Sequence, residues 1–151
     1  MDLRSVLKRC RYKIITPPQL KDNAAFDVGF IDTQGLAGVA FLFATGDMDA
    51  AAGSGNATTA PKIVECDTTD GTYTDITGAA LSAAIANDQD ETLRGIFVDL
   101  TKSHKRYLQP SAPTAGNGTT GVEMAIIAIG FPSENFPDGA AAAGLAELVE
   151  A

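Results

Sequence analysis

An Asp-Gly pair between two strand-like runs constrains this chain more than any other feature. The pair is Asp70-Gly71, inside the stretch Pro61 to Leu81, PKIVECDTTDGTYTDITGAAL. Before it, Ile63 and Glu65 alternate with Val64 and Cys66. After it, Tyr73 and Ile76 resume the apolar content, and Gly78 closes the unit. Asp-Gly flanked by alternating runs is the strongest short-range signal for a β-hairpin. The expectation is a protein built of antiparallel strands.

The rest of the chain carries the same signature. Phe26, Val28 and Phe30 alternate with Asp27 and Gly29, and a turn follows at residues 32–35. Val39 to Ala44, VAFLFA, is apolar on both faces and reads as a central strand covered on both sides. Residues 46–60 lack large apolar residues apart from Met48 and read as a flexible connection or as one end of the sandwich, long enough to cross between sheets. Ala84 to Leu93 is polar and turn-like around Asn87 to Glu91. Ile96, Val98 and Leu100 mark another strand, which is expected to be central. Tyr107 to Gln109 begins a strand that Pro110 and Pro113 confine to an edge or cut short. Gly116 to Gly118 reads as a hairpin turn, and Val122 to Ile129, VEMAIIAI, as the most hydrophobic strand. Short strands at close spacing, without long helical patterns between them, predict an all-β antiparallel β-sandwich, jelly-roll-like. Beyond Phe131, Asp138 is a candidate cap, and Leu145, Leu148 and Val149 fall on one face of a short C-terminal helix. The expected division is an N-terminal arm at 1–22, a sandwich domain at 23–130 and a C-terminal extension at 131–151. Neither tail has an obvious place in the sandwich, so neighbouring subunits are expected to hold both.

Charge is distributed unevenly. The total is −8. Residues 1–22 nevertheless hold Arg4, Lys8, Arg9, Arg11, Lys13 and Lys21 against Asp2 and Asp22, a net +4 that leaves −12 for the remainder. A basic arm on an acidic body suits a tether to an acidic surface and disfavours nucleic acid as a partner of the body. Leu3, Val6, Leu7 and Cys10 recur at helical spacing behind Asp2. From Lys8 onward, Cys10, Tyr12 and Ile14 alternate with Arg9, Arg11 and Lys13. A short helix turning into an extended arm satisfies both, and the strand period would let the arm add to a sheet edge. Leu3, Val6, Leu7, Tyr12 and Ile14 would supply the apolar part of that contact. The candidate binding residues are therefore Leu3, Arg4, Val6, Leu7, Lys8, Arg9, Arg11, Tyr12 and Lys13.

Signs of chemistry are sparse. His104 is the only histidine, and among Lys102, Lys105 and Arg106 it reads as a solvated loop residue. Asp47 with Asp49, and Asp67 with Asp70 and Asp75, supply loop oxygens of the kind calcium takes. Their spacing is not that of an EF-hand, and turn chemistry accounts for them. Glu65, Glu91 and Glu123 sit singly. No metal, cofactor or catalytic residue is expected, and the chain does not read as an enzyme. No apolar run reaches the ~18 residues of a membrane span, and the basic start lacks the apolar core of a secretory signal. Cys10 and Cys66 are expected as free thiols in a reducing cytoplasm.

The order of segments is also familiar. FDVGFIDTQGLAGVAFLF, then KIVECDTTDGTYTDITGA, then KRYLQ and an apolar strand closing at Gly130 resembles the small β-sandwich structural proteins of tailed bacteriophages and gene transfer agents. In those proteins a VQESDDGTWTDITGA-like unit and a RYLR-like strand recur. The likeness runs from Phe26 to Gly130 and departs at Gln109-Pro110, where the family pattern has a basic residue and a continued strand. It implies a head decoration (cement) protein, made in the host cytoplasm and carried on the virion. Its partner would be the major capsid protein and its assembly state a homotrimer, with neither nucleic acid nor membrane bound. Other roles for such a sandwich are a tail or head-tail connector component, or a carbohydrate-binding module on the virion surface. The low aromatic content and lack of Trp disfavour the last.

Overall fold

The computed structural model describes residues 7–133. The strands in them are β1 (Arg11–Lys21), β2 (Ile31–Asp32), β3 (Leu36–Met48), β4 (Ala52–Ser54), β5 (Lys62–Cys66), β6 (Thr74–Ala80), β7 (Leu93–Asp99), β8 (Tyr107–Pro110), β9 (Pro113–Ala115) and β10 (Val122–Pro132). One four-stranded sheet has the order β1-β10-β3-β7, a second the order β2-β8-β5-β6, and β4 pairs with β9 in a small ribbon. Every pairing is antiparallel. The architecture is all-β and sandwich-like.

The two sheets share one core. Along β3, Val39, Phe41 and Phe43 are buried, and along β10 so are Met124, Ile126 and Ala128. Register aligns these residues across the first sheet, with Phe41 opposite Ala128 and Ile96, and Val39 opposite Gly130 and Val98. Ile31, Ile63, Leu108 and Ala79 of the second sheet join the same cluster, as do Ala52 and Ala115 of the ribbon. Burying one such side chain is worth about 1.5–3 kcal/mol, so this layer carries most of the driving force for folding.

Several expectations need correcting. The Asp70-Gly71 unit is a hairpin, since Val64 pairs with Asp75 and Glu65 with Thr74. Its reversal, however, takes residues 67–73, not two residues, and Gly78 lies within β6 at φ 82° beside a register shift. Ile96 to Leu100 is not central, because β7 is an edge strand. Alternation marks burial on one face and says nothing about rank in the sheet. Gly116 to Gly118 does not join paired neighbours, because β9 pairs with β4 and β10 with β1 and β3.

Of the two readings of residues 46–60, a flexible connection and one end of the sandwich, the first does not hold. The segment includes β4, with Ala52, Gly53 and Ser54 all buried. A Cβ on Gly53 would lie 2.1 Å from the Thr59 carbonyl oxygen. At Gly53 the backbone is packed too closely to admit a side chain. The Asn56 carboxamide oxygen accepts from the backbone N–H groups of Thr58 and Thr59, both at 2.9 Å, and closes the turn.

The largest difference lies at the start of the chain. From Arg11 to Lys21 the segment expected as an arm is a full edge strand, in register with β10 from Arg11↔Gly130 to Lys21↔Val122. The outward turn of Tyr12 and Ile14 and the inward turn of Ile15 suit it to the sheet. Pro17 and Pro18 fall where the register shifts, as prolines on an edge strand must. The expectation that neither tail joins the sandwich therefore fails for this segment. The C-terminal helix predicted after Phe131 lies outside the described residues.

Candidate interaction surface

A strand side chain points to one face of its sheet and the next to the other. In β3 and β10 both alternations are apolar, so the first sheet has two hydrophobic faces, of which the second sheet covers one. Register lays out the other in rows. Ile14, Ile127, Leu42 and Gly95 form one row; Tyr12, Ile129, Ala40 and Phe97 form the next. Ala125, Ala44 and Leu93 lie on one side of these, and Phe131 and Gly38 on the other. On this face Ile14 is 63% exposed, Leu93 66%, Phe97 61% and Leu20 51%. Ile127 and Phe131, in the middle strand and at its end, are exposed as well.

Local packing shapes the face. Phe97 and Phe131 meet edge to face with centroids 6.1 Å apart. Phe97 lies across Gly38, where an added Cβ would come 2.5 Å from the ring, so the aromatic pair depends on that glycine. At the opposite end the register shifts in β1 open a groove lined by Pro18, Leu20, Gly46 and Ala125. Glu123 is a charged side chain beside this groove, folded over Gly46. Strand spacing and rise give the whole face a footprint of roughly 400 Å², as large as the largest apolar patches of soluble monomers. The second sheet's outer side is different: on β6, Thr74, Asp75, Thr77 and Ala80 are exposed, and Lys62 pairs with Asp75 at 2.7 Å.

The predicted binding residues divide across this geometry. Leu3, Arg4 and Val6 lie outside the described residues. Leu7, Lys8 and Arg9 form an exposed helical turn just before β1. Of the three on β1, only Tyr12 belongs to the apolar face. Arg11 and Lys13 point the opposite way and clasp the second sheet. Arg11 donates through Nη1 to the Asp32 carbonyl at 2.7 Å, and Lys13 Nζ sits 4.7 Å from the centre of the Phe30 ring. On β1 the structure therefore separates the apolar Tyr12 and Ile14 from the basic Arg11 and Lys13. Sequence reasoning passed over Leu42, Leu93, Phe97 and Ile127 as binding residues; their signal was the second apolar alternation in VAFLFA and VEMAIIAI.

The basic loop is likewise committed to the fold. Arg106 donates to both Asp32 carboxylate oxygens, at 2.9 and 2.8 Å, and to Gln34 Oε1 at 2.8 Å. These bonds from Arg106, with the backbone N–H of Gln34, hold the Asp32 carboxyl below the usual carboxylate range. Lys105 Nζ donates to Thr74 Oγ1. His104 is not solvated: its Nδ1 lies 2.9 Å from Glu65 Oε2, and the two side chains are 14% and 15% exposed. Glu65 also accepts the Lys105 backbone N–H at 3.0 Å, so one carboxylate ties the loop to β5.

Of the acidic sets, Asp49 serves a turn and Asp75, on β6, pairs with Lys62. Asp49 accepts the backbone N–H groups of Thr120, Gly121 and Thr119 at 2.7, 2.6 and 2.8 Å, and those bonds hold its carboxyl below the usual range. Among the described residues no three His, Cys, Asp or Glu side chains come together to hold a metal ion. Cys10 and Cys66 are both free and buried. Burial pushes the Cys10 thiol up, with a hydrogen bond to Tyr12 acting against it, and a raised thiol is a poor nucleophile.

Neither the family models nor the curated proteins contain a match to this chain.

Proposed function

We propose that this protein is a virion structural component, a decoration protein that docks on the assembled head shell of a tailed bacteriophage or gene transfer agent. The observation that carries the reading is the open apolar face of the β1-β10-β3-β7 sheet. A face of that size on an acidic, sandwich-like body is built for contact with another macromolecule. The resemblance from Phe26 to Gly130 supplies the kind of partner: the major capsid protein. It also supplies the homotrimer at lattice positions, while a jelly-roll-like wrapping, an arm before β1 and a C-terminal helix belong to the reading through the sequence pattern.

The geometry changes how docking would work. The basic side chains Arg11 and Lys13 are spent within the subunit, so the contact is chiefly apolar, with Tyr12 and Ile14 of β1 contributing from the sheet edge. A weak contact per subunit suffices, because copies engaging a repeating lattice gain avidity. Binding only the assembled shell stabilises it by linkage.

The test is to mix the purified protein with undecorated heads and sediment them. Saturable occupancy at a fixed ratio to the major capsid protein, with heads more resistant to heat, is the expected result. Heads that sediment without the protein at any concentration would refute the reading.

A further inference from the structure

We infer that the outer edge of β7 is a strand-addition site, taking one extended apolar segment of the docking partner that carries a carboxylate for Arg94. The bonding pattern exposes this edge. β3 and β7 pair in one unbroken register from Gly38↔Asp99 to Ala44↔Leu93. Just beyond its ends, Thr45 N–H donates to the Thr92 carbonyl and Leu100 N–H to the Ala37 carbonyl, both at 3.0 Å. Bonded pairs alternate along an antiparallel ladder, so Arg94, Ile96 and Val98 bond to β3. Leu93, Gly95 and Phe97 aim their N–H and C=O groups outward, and among the described residues these groups meet no partner. All three residues are exposed.

The other edges of the two main sheets are blunted. β1 carries Pro17, Pro18 and two register shifts, and its Ile15 carbonyl accepts the Gly29 N–H at 2.7 Å. β6 is interrupted by Gly78 at φ 82° beside a register shift, and β2 has only two residues. These are ordinary ways in which a fold protects an edge from pairing. The seven residues of β7 contain no Pro, no Lys and no bulge, which leaves a template for another strand.

The surroundings state what that strand must be. Its alternate residues would extend the outer rows of Leu93 and Phe97, with room for a large one beside Gly95. The others would face recesses lined by Leu81 and Ala84 and by Ile76 and Ala79, so the segment is apolar on both faces. Arg94 lines the first recess and donates to Thr92 Oγ1; among the described residues it pairs with no carboxylate. A second copy of β7 supplies none. Cross-strand partners share a face, so Arg94 would meet Arg94, Ile96 or Val98, and two bodies of net charge −8 also repel. That the segment belongs to the major capsid protein rests on the proposed function; the open edge does not.

The test is hydrogen exchange on the full chain, alone and on undecorated heads, read residue by residue by mass spectrometry of quenched samples. Alone, the Gly95 and Phe97 amides should exchange fast while those of Ile96 and Val98 are protected. On heads, Gly95 and Phe97 should slow at least tenfold. Gly95→Pro removes an outward N–H and no bond to β3; it should keep the strand circular dichroism and lower occupancy at least tenfold. Protection of Gly95 and Phe97 in the free protein would mean that the edge is already taken, and would overturn the inference. Full occupancy with both amides still exchanging fast would overturn it too and leave the docking reading standing. Wild type that never occupies heads would refute that reading, and this inference with it.

Discussion

Ile126 and Ile127 are neighbours in one strand and differ in almost everything that matters. Ile126 is wholly buried, opposite Phe43 and Thr16, while Ile127 is 38% exposed, opposite Leu42 and Ile14. The same contrast runs along β3, where Phe41 and Phe43 are sealed and Leu42 only half-buried. The two faces are equally apolar in composition, yet only the inner one meets a second sheet. Hydrophobicity decides that a face wants cover; topology decides whether the fold provides it. The outer face of this sheet is a core surface that the described residues leave open.

That contrast can be broken most sharply by charge. Ile126→Asp should leave no folded protein, since burying an unpaired carboxylate costs several kcal/mol, comparable to the whole stability. Ile127→Asp should fold, with a strand spectrum by circular dichroism and a modest change in urea midpoint. Truncation gives a graded version. Phe41→Ala should cost about 3–5 kcal/mol, whereas Phe97→Ala on the outer face should cost about 1 kcal/mol or less, both read from urea denaturation.

A smaller effect is expected at the ribbon. Gly53→Ala sets a methyl against the Thr59 carbonyl, and overpacking of this kind costs about 1–3 kcal/mol. Gly95→Ala on the outer face meets Leu42 Cδ2 at 3.4 Å and the Phe41 carbonyl oxygen at 3.8 Å and should be nearly neutral in the same assay.

The smallest effect is a pH dependence. Asp32 and Asp49 both have carboxyls held below the ordinary range in the folded state. A lowered folded value means that their contribution is fully present above the unfolded carboxylate pKa and is lost as pH falls through the folded one. The urea midpoint should therefore decline from neutral pH towards acid. The Asp32→Asn/Asp49→Asn variant should start lower at pH 7 and decline less.

Much of the inner layer was legible in the sequence. Val39 to Ala44 and Val122 to Ile129 announce the two middle strands, and Asp70-Gly71 announces the β5–β6 hairpin. What escaped depended on distant partners. Nothing local tells that the basic run from Arg11 pairs with β10, because a strand period fits a free arm and a sheet edge alike. Glu65 and His104, far apart in sequence, become a pair only when the loop before β8 lies beside β5. Residues 46–60 look loose because they are small, yet at Gly53 the chain is too tight for anything larger. The outer face was visible as a second apolar alternation, but the assumption that it is covered inside the fold hid its meaning.

The central claim is that this outer face, and not the basic residues of β1 or the second sheet, is the docking surface. The most direct measurement compares occupancy on undecorated heads for three folded proteins: wild type, Phe97→Asp on the outer face, and Thr77→Asp on exposed β6. The account predicts that Phe97→Asp lowers occupancy at least tenfold while Thr77→Asp matches wild type. Equal occupancy for Phe97→Asp and wild type, or loss only with Thr77→Asp, would contradict it.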